Sequence, residues 1–349
     1  MIELDGSIGE GGGQILRTSL ALSLLTGKAF HLSNIRAGRA KPGLQPQHLM
    51  SVRAATAIGQ AKVGGASRDS SDLVFEPGPI LAGRYHFAIG TAGATGLVLH
   101  TVYLPLALRG TEPSELTLEG GTHVSTSPCY HFLDTTWRAY VELLGIHLRL
   151  RLIRPGFYPR GGGRVDVIVQ PCAKLKGIRL LERGAPKAIT GISAVAGLPL
   201  EIAHRQARRA GNRLKVTGLP VNIREETWEG GPGTVLTLIL DTQPVPTLFF
   251  GLGARGKRAE RVADEAADQV LSYLAGLRAL TQPGSPIPLD PHSADQIVMP
   301  LALAEGPSAF TVSEITSHLL TNITVIRRFV EREISCEGDQ GQQGLVRID

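Results

Sequence analysis

Apolar residues recur at helical spacing in six stretches of the chain, and the six fall into two types. The first type is a glycine-rich or polar turn feeding an apolar run: IGEGGGQILRTSLALSLLTG from Ile8, IGTAGATGLVLHTVYLPLAL from Ile89, and PHSADQIVMPLALAEG from Pro291. The second type has a histidine near its head: QHLMSVRAATAIG from Gln47, YHFLDTTWRAYVELLG from Tyr130, and SHLLTNITVIRRFVER from Ser317. In the last of these Leu319, Ile323, Ile326 and Val330 share a face and the charges gather at the far end, which predicts a helix with one face on a core.

The two types alternate, so the spacing tests for a repeat. His48 and His131 are 83 residues apart, whereas His131 and His318 are 187 apart. An insertion of about a hundred residues in the third unit accounts for the difference, a size fit for a small domain. Within it ITGISAVAG, KVTGLPVNIREETW and GTVLTLILDT read as strands, and LEIAHRQARRAGNRL and AERVADEAADQVLSYLAGL as helices. The expected organisation is a large domain of three α/β (α+β) repeats over residues 1–183 and 281–349, with a small α/β domain inserted at 184–280. Each repeat runs strand, helix, strand, helix and further strands, so its helices cover one sheet face.

Composition narrows the class. The chain has 349 residues, 42% of them hydrophobic, which suffices for a sizeable core. The start, MIELDGS, lacks the basic-then-apolar order of a signal peptide, and no apolar run reaches membrane-spanning length, so a cytoplasmic or nuclear protein with no membrane partner is expected. Cys129, Cys172 and Cys336 are odd in number and far apart, which argues against a disulfide framework or a structural zinc site. The net charge of +5 permits an anionic partner without selecting one. Two clusters carry more information: Arg36, Arg39 and Lys41 in RAGRAK, and Arg205, Arg208, Arg209 and Arg213 along one helix, each either an anion contact or a solvated face. Aromatics are only 5%, so no base-stacking platform is evident.

Four constellations carry candidate chemistry beside His318. In GEGGGQILR, bare backbone opening a helix can approach phosphates, Glu10 can hold a divalent cation and Arg17 a phosphate; the alternative is a tight turn with a surface glutamate. In RAGRAKPGLQPQH, three cations precede a histidine-headed helix and suit a phosphorylated chain end. In HSADQ, Asp295 reads first as a helix N-cap, then as a metal or ribose ligand. In RPGFYPRGGGRV, the glycine triplet predicts an unusual turn before a strand. His123, in EGGTHVS, reads as a solvent-facing loop histidine.

GFYPRGGGRV resembles the signature of the RNA 3′-terminal phosphate cyclase family, and DGSIGEGGGQILR, RAGRAKPGL with QHL, IGTAGATGLVL, EGGT, ADQ and SHLLTN continue the likeness in order along nearly the whole chain. The resemblance implies a fold of three repeats like the C-terminal domain of a translation initiation factor, with a small inserted domain. It also implies ATP-dependent conversion of an RNA 3′-phosphate to a 2′,3′-cyclic phosphodiester, with AMP and pyrophosphate released. His318 matches the adenylylated nucleophile, and Glu10 a ligand of Mg²⁺ or Mn²⁺. Arg17, Arg39, Gln47 and His48 match the phosphate region, His48 either as a contact or in proton transfer. Asp295 and Gln296 match positions near the nucleotide, and Pro128 and Phe250 are adenine-pocket candidates. His100 and His292, also placed at the ATP site, stand where family members carry other polar or aromatic residues. The implied partners are ATP and an RNA bearing a 3′-phosphate. Three rivals stay open: a cyclase-like RNA-processing or ribosome-assembly factor without catalysis, a carboxyvinyl transferase, and a soluble α/β binding module.

Overall fold

The computed structural model describes residues 1–125, 127–181, 184–280 and 288–349. Its strands form four four-stranded sheets. The first joins β1 (Ile2–Asp5), β2 (Phe30–Ser33), β3 (Lys62–Gly64) and β4 (Leu73–Glu76) in the order β1-β2-β4-β3, with β1 and β2 parallel. The second joins β5 (Arg84–Ala88), β6 (Ser114–Gly120), β7 (Leu148–Arg154) and β8 (Gly163–Val169) in the order β5-β6-β8-β7, with β5 and β6 parallel. The third uses β9 (Arg179–Leu180), β14 (Ser308–Val312), β15 (Ile334–Glu337) and β16 (Gly344–Ile348), ordered β9-β14-β16-β15 with β9 and β14 parallel. One topology is thus used three times, each parallel pair being the crossover that a helix must bridge.

The bridging helices are α1 (Gln14–Thr26), α3 (Thr95–Arg109) and α8 (Pro291–Ala302). The second helix of each unit is α2 (Pro46–Gly59), then α4 (Tyr130–Phe132) running through a π turn at Leu133–Trp137 into α5 (Arg138–Leu143), then α9 (Ser317–Phe329). Helix α1 packs on α3 and on α9, and α8 packs on α9. The nearly continuous apolar runs of α1 and α3 follow from this: both are covered on most sides, with Leu20, Leu22, Val102 and Leu104 fully buried in one core that spans all three units.

The fourth sheet lies in sequence between β9 and α8. It orders as β11-β10-β12-β13 from β10 (Ile189–Ala196), β11 (Val221–Trp228), β12 (Gly233–Leu240) and β13 (Thr247–Leu252), covered by α6 (Glu201–Leu214) and α7 (Ala259–Leu280) around a core of its own. Two details depart from expectation. The strand drawn from Lys215 begins only at Val221, because Lys215–Thr217 closes a 3-10 turn that Gly218 and Pro220 end. Strand β13 was not expected: its apolar run is short and preceded by Pro244 and Pro246. The boundary residues Arg183 and 281 lie outside the described residues. No helix among them is long and apolar enough to cross a membrane.

The arginines of α6 are largely paired rather than free. Arg205 meets Glu260 at 2.8 Å, Arg209 meets Asp264 at 2.8 Å, and Arg213 meets Asp264 at 3.0 Å, so three of the four lock α6 to α7. A basic face for nucleic acid reduces there to Arg208.

Candidate active site

Thr316 caps α9: its hydroxyl oxygen accepts from the Leu319 amide at 3.0 Å and donates to Asp295 Oδ1 at 2.6 Å. The cap places His318 in the first turn, where its side chain is 45% exposed and can meet a ligand. Across the gap, the glycine turn before α1 presents Glu10. Its Oε1 lies 3.0 Å from His318 Nδ1 and its Oε2 lies 3.1 Å from Arg39 Nη2. Burial pushes the Glu10 carboxyl up, but His318, Arg39 and Arg17 outweigh it and hold it below the usual carboxylate range. The hydrogen bond to Glu10 correspondingly raises His318 above the ordinary imidazole value. Because Nδ1 is engaged, Nε2 is the ring nitrogen left to react.

Behind this pair stands Arg17, on the first turn of α1, whose burial pulls its pKa down to about 10. Its Nη2 donates to Gln14 Oε1 at 2.9 Å, and Gln14 Nε2 donates to Asn322 Oδ1 at 3.0 Å. The same Asn322 oxygen accepts from Thr18 at 2.8 Å, while Asn322 Nδ2 donates to the Asp295 carbonyl at 3.0 Å. Helices α1, α8 and α9 are joined by this polar chain, so the first and third units share the site. Burial raises the Asp295 carboxyl to about 7, with the Thr316 hydroxyl and His318 pulling the other way.

His48 occupies the third position of α2 and is buried. Its Nδ1 accepts from the Gln45 amide at 3.2 Å, which puts the ring proton on Nε2. Burial, with Arg17 and Arg36 adding to it, drops its pKa to about 3. The ring is therefore a neutral donor. A methyl group at Gly13 would stand 2.3 Å from that Nε2 and 2.8 Å from Arg17 Nη1, so only a glycine lets His48 and Arg17 close over the turn. Gln47, one residue earlier, accepts from the Ala94 amide at 3.3 Å and ties α2 to the glycine loop of the second unit.

A cavity of about 30 Å³ opens beside Arg17, bounded by Gln14, Thr18, His100, Asp295, Gln296 and Asn322 with Tyr103 and Met299. His100 is half-buried, its ring against Tyr103 and Trp137 and its Nε2 enclosed, and desolvation drops its pKa to about 3. Among the described residues neither His100 Nε2 nor the Tyr103 hydroxyl has a hydrogen-bond partner.

The structure thus gathers Glu10, Arg17, Arg39, His48, His100, Asp295, Gln296 and His318, with Gln47 at the rim. It separates others. His292 lines a different groove with Tyr273, Pro288 and Glu314. Neither Pro128 nor Phe250 lines the Arg17 cavity; Phe250, on β13, packs against the apolar cluster of Phe157, Ala194, Ala196 and Val235. Asp295 is not an N-cap: Asp290 caps α8, accepting from the Ser293 amide at 2.9 Å, and Asp295 sits inside the helix. Arg36 turns inward, donating to the carbonyls of Lys41 and Gly43 (3.1 Å for the latter), and so holds its own loop. His123 is buried rather than solvent-facing, stacked on Phe157 and 3.0 Å from His131. Gln14, Thr18, Tyr103, Thr316 and Asn322 were not expected here; the signal of the four helical ones was a polar side chain in an apolar helix, and that of Thr316 its place just before α9.

Two guanidinium groups and an N–H donor converge beside a half-exposed imidazole, which makes this an anion-handling site. The family model for RNA 3′-terminal phosphate cyclase matches residues 8–336. Proteins named RNA 3′-terminal phosphate cyclase are similar over essentially full length. That of Salmonella typhimurium is 42% identical over 348 residues, covering 100% of this chain and 98% of its own. That of Caldivirga maquilingensis is 44% identical over 341 residues, covering 96% and 94%. That of Ralstonia nicotianae is 43% identical over 348 residues, covering 99% and 96%. The chain belongs to the RNA 3′-terminal phosphate cyclase family.

Proposed function

We propose that this protein uses ATP to close an RNA 3′-terminal phosphate into a 2′,3′-cyclic phosphodiester, with His318 as the nucleophile. The observation that carries the reading is the Glu10–His318 contact: an imidazole fixed through Nδ1 leaves Nε2 free beside Arg17 and Arg39. In the first step Nε2 forms a bond to the α-phosphorus of ATP as the bond to pyrophosphate breaks. In the second an oxygen of the RNA phosphate displaces the imidazole, which restores His318. In the third the 2′-hydroxyl oxygen attacks the phosphorus of the RNA 3′-phosphate and loses its proton as the bond from that phosphorus to the bridging oxygen breaks and AMP departs.

The chain's own groups fit these steps. Arg17 and Arg39 offset the negative charge that accumulates at each phosphorus, and the neutral His48 donates from Nε2 without competing for protons near neutral pH. Among the described residues no three His, Cys, Asp or Glu side chains form a metal cage. A single carboxylate fits Mg²⁺ or Mn²⁺ of the kind held by one protein ligand, substrate phosphates and water, and Glu10 would be that ligand. The ion would supply charge neutralisation on the phosphates. We further assign residues 1–183 and 281–349 to the catalytic domain and 184–280 to an inserted one.

The test is incubation of wild type and His318→Ala with α-labelled or γ-labelled ATP, followed by denaturing electrophoresis. An acid-labile adduct on wild type from the α label alone is the expected result. Labelling of both proteins would overturn the assignment of His318, and labelling of neither folded protein would favour a non-catalytic relative.

A further inference from the structure

The outer face of the second sheet is arranged in three rows set by strand register. Arg84, Glu115, Ile168 and Arg149 form one; His86, Thr117, Asp166 and Arg151 the next; Ala88, Glu119, Arg164 and Arg154 the last. The charges sort by strand. On β5 and β6 the charged side chains have neighbours, with Arg84 at 3.2 Å from Glu115 and Glu119 at 3.5 Å from His86. Arg164 is matched by Asp166 at 2.9 Å and Arg138 by Asp134 at 3.0 Å. Along the edge strand β7, by contrast, no carboxylate among the described residues pairs with Arg149, Arg151 or Arg154, nor with Arg160 in the loop that follows. Arg149 and Arg151 border an open trough on this face with Arg138 and Arg164.

This line of arginines without a carboxylate partner, in which Arg154 Nε also donates to the Gly162 carbonyl at 2.6 Å, leads to the active site. The loop after β7 carries Tyr158, 75% exposed, then Arg160. At Gly161 it lies against the second unit's glycine loop so closely that a methyl group would stand 2.7 Å from the Thr91 carbonyl. That loop binds Gln47 through the Ala94 amide, and His48 is the next residue. Arg149 and Arg151, two residues apart on one face of the strand, are separated by roughly 6.6 Å, on the scale of one step of a stretched nucleotide chain, and Arg154 follows beyond a register shift.

We infer that β7 and the loop following it form a track for single-stranded RNA, with Arg149, Arg151, Arg154 and Arg160 on successive phosphates upstream of the 3′ end and Tyr158 offering a ring face to a base. This rests on the RNA reading above and deepens it: the protein recognises several nucleotides of chain, not the terminal one alone. Arginines placed only to guard an open sheet edge would not need to continue past the strand toward the site.

The test compares wild type, Arg149→Gln/Arg151→Gln, and the control Arg84→Gln on a trinucleotide and a dodecamer, each bearing a 3′-phosphate. Two lost phosphate contacts on a single strand lower the slope of log affinity against log salt by about 1.4, or about 25-fold in Kd at roughly 0.1 M salt. The dodecamer should show that loss in the double variant, while the trinucleotide and the Arg84→Gln protein stay within twofold of wild type. Equal dodecamer affinity in all three proteins, or an equal loss on both RNAs, would overturn the track. The reaction is decided separately, by whether wild type cyclises the trinucleotide: length-dependent binding without ring closure keeps the track and sinks the reaction.

Discussion

One carboxylate, Glu10, holds both His318 Nδ1 at 3.0 Å and Arg39 Nη2 at 3.1 Å. The imidazole is therefore stabilised as its protonated form, in which Nε2 has no lone pair to offer. Adenylylation should have an acidic limb that reports His318. In Glu10→Gln the anionic acceptor is gone, so the histidine's titration midpoint, followed by proton NMR, should move to lower pH. The rate should nonetheless drop on the order of 10²-fold, because the ring is no longer held. An unmoved midpoint would mean that the contact does not govern the protonation of His318.

Thr316 serves both the helix end and Asp295, so Thr316→Val removes a cap and an acceptor's partner at once. We expect about 1–2 kcal/mol lost in denaturant unfolding. Thr316→Ser, which keeps the hydroxyl, should recover most of it. Adenylylation should fall with Val and return with Ser.

Gly13→Ala puts a methyl group where His48 and Arg17 meet. Overpacking of that kind costs about 1–3 kcal/mol. Activity should fall further than stability does, since the two displaced side chains are the ones proposed to face phosphate. Retained activity at unchanged stability would show that the turn has room the structure does not give it.

Acid should unfold this protein steeply. His48, His100 and His131 have folded pKa values of about 3, 3 and 4, and His123 lies well below its ordinary value, in each case chiefly through burial. A depressed histidine favours folding above its unfolded value of 6.5, and that stability is lost as pH falls below it. Asp295, raised to about 7, works the other way and stabilises the fold as it takes up its proton. The net is three protons taken up on unfolding, or roughly 4 kcal/mol per pH unit near pH 5. Denaturant titrations across that range would measure the slope, and a flat profile would mean that the four rings are hydrated.

Arg209→Ala removes an exposed ion pair between α6 and α7. It should cost about 0.2–1 kcal/mol and leave RNA affinity unchanged. A large loss of RNA affinity would return this helix to consideration as a contact.

The architecture was legible because its signals are local and repeated: the glycine turn before α1 and α3 and the histidine-headed helices recur at a period that the insertion interrupts once. The site was legible where a motif is contiguous, as with Glu10 and Arg17 or Arg39 and His48. It was not legible where the partner is remote. Asn322 bonds to Gln14 across 308 positions, and no pattern near either residue announces the other. The same holds for His123, buried by Phe157 and Trp228 from two other segments, and for Asp295, whose short-range alternative as a cap was taken by Asp290.

That Glu10 and His318 stand at opposite ends of this sequence and touch has a consequence for the chain as it is made. When the glycine turn, the RAGRAK loop and His48 have left the ribosome, the nascent protein has Glu10, Arg17 and Arg39 but not the imidazole proposed to bond to the nucleotide. Only when α9 docks on α1 does Glu10 meet His318, so on the proposed reaction a product truncated before that helix is a catalytically silent polypeptide rather than a weak enzyme.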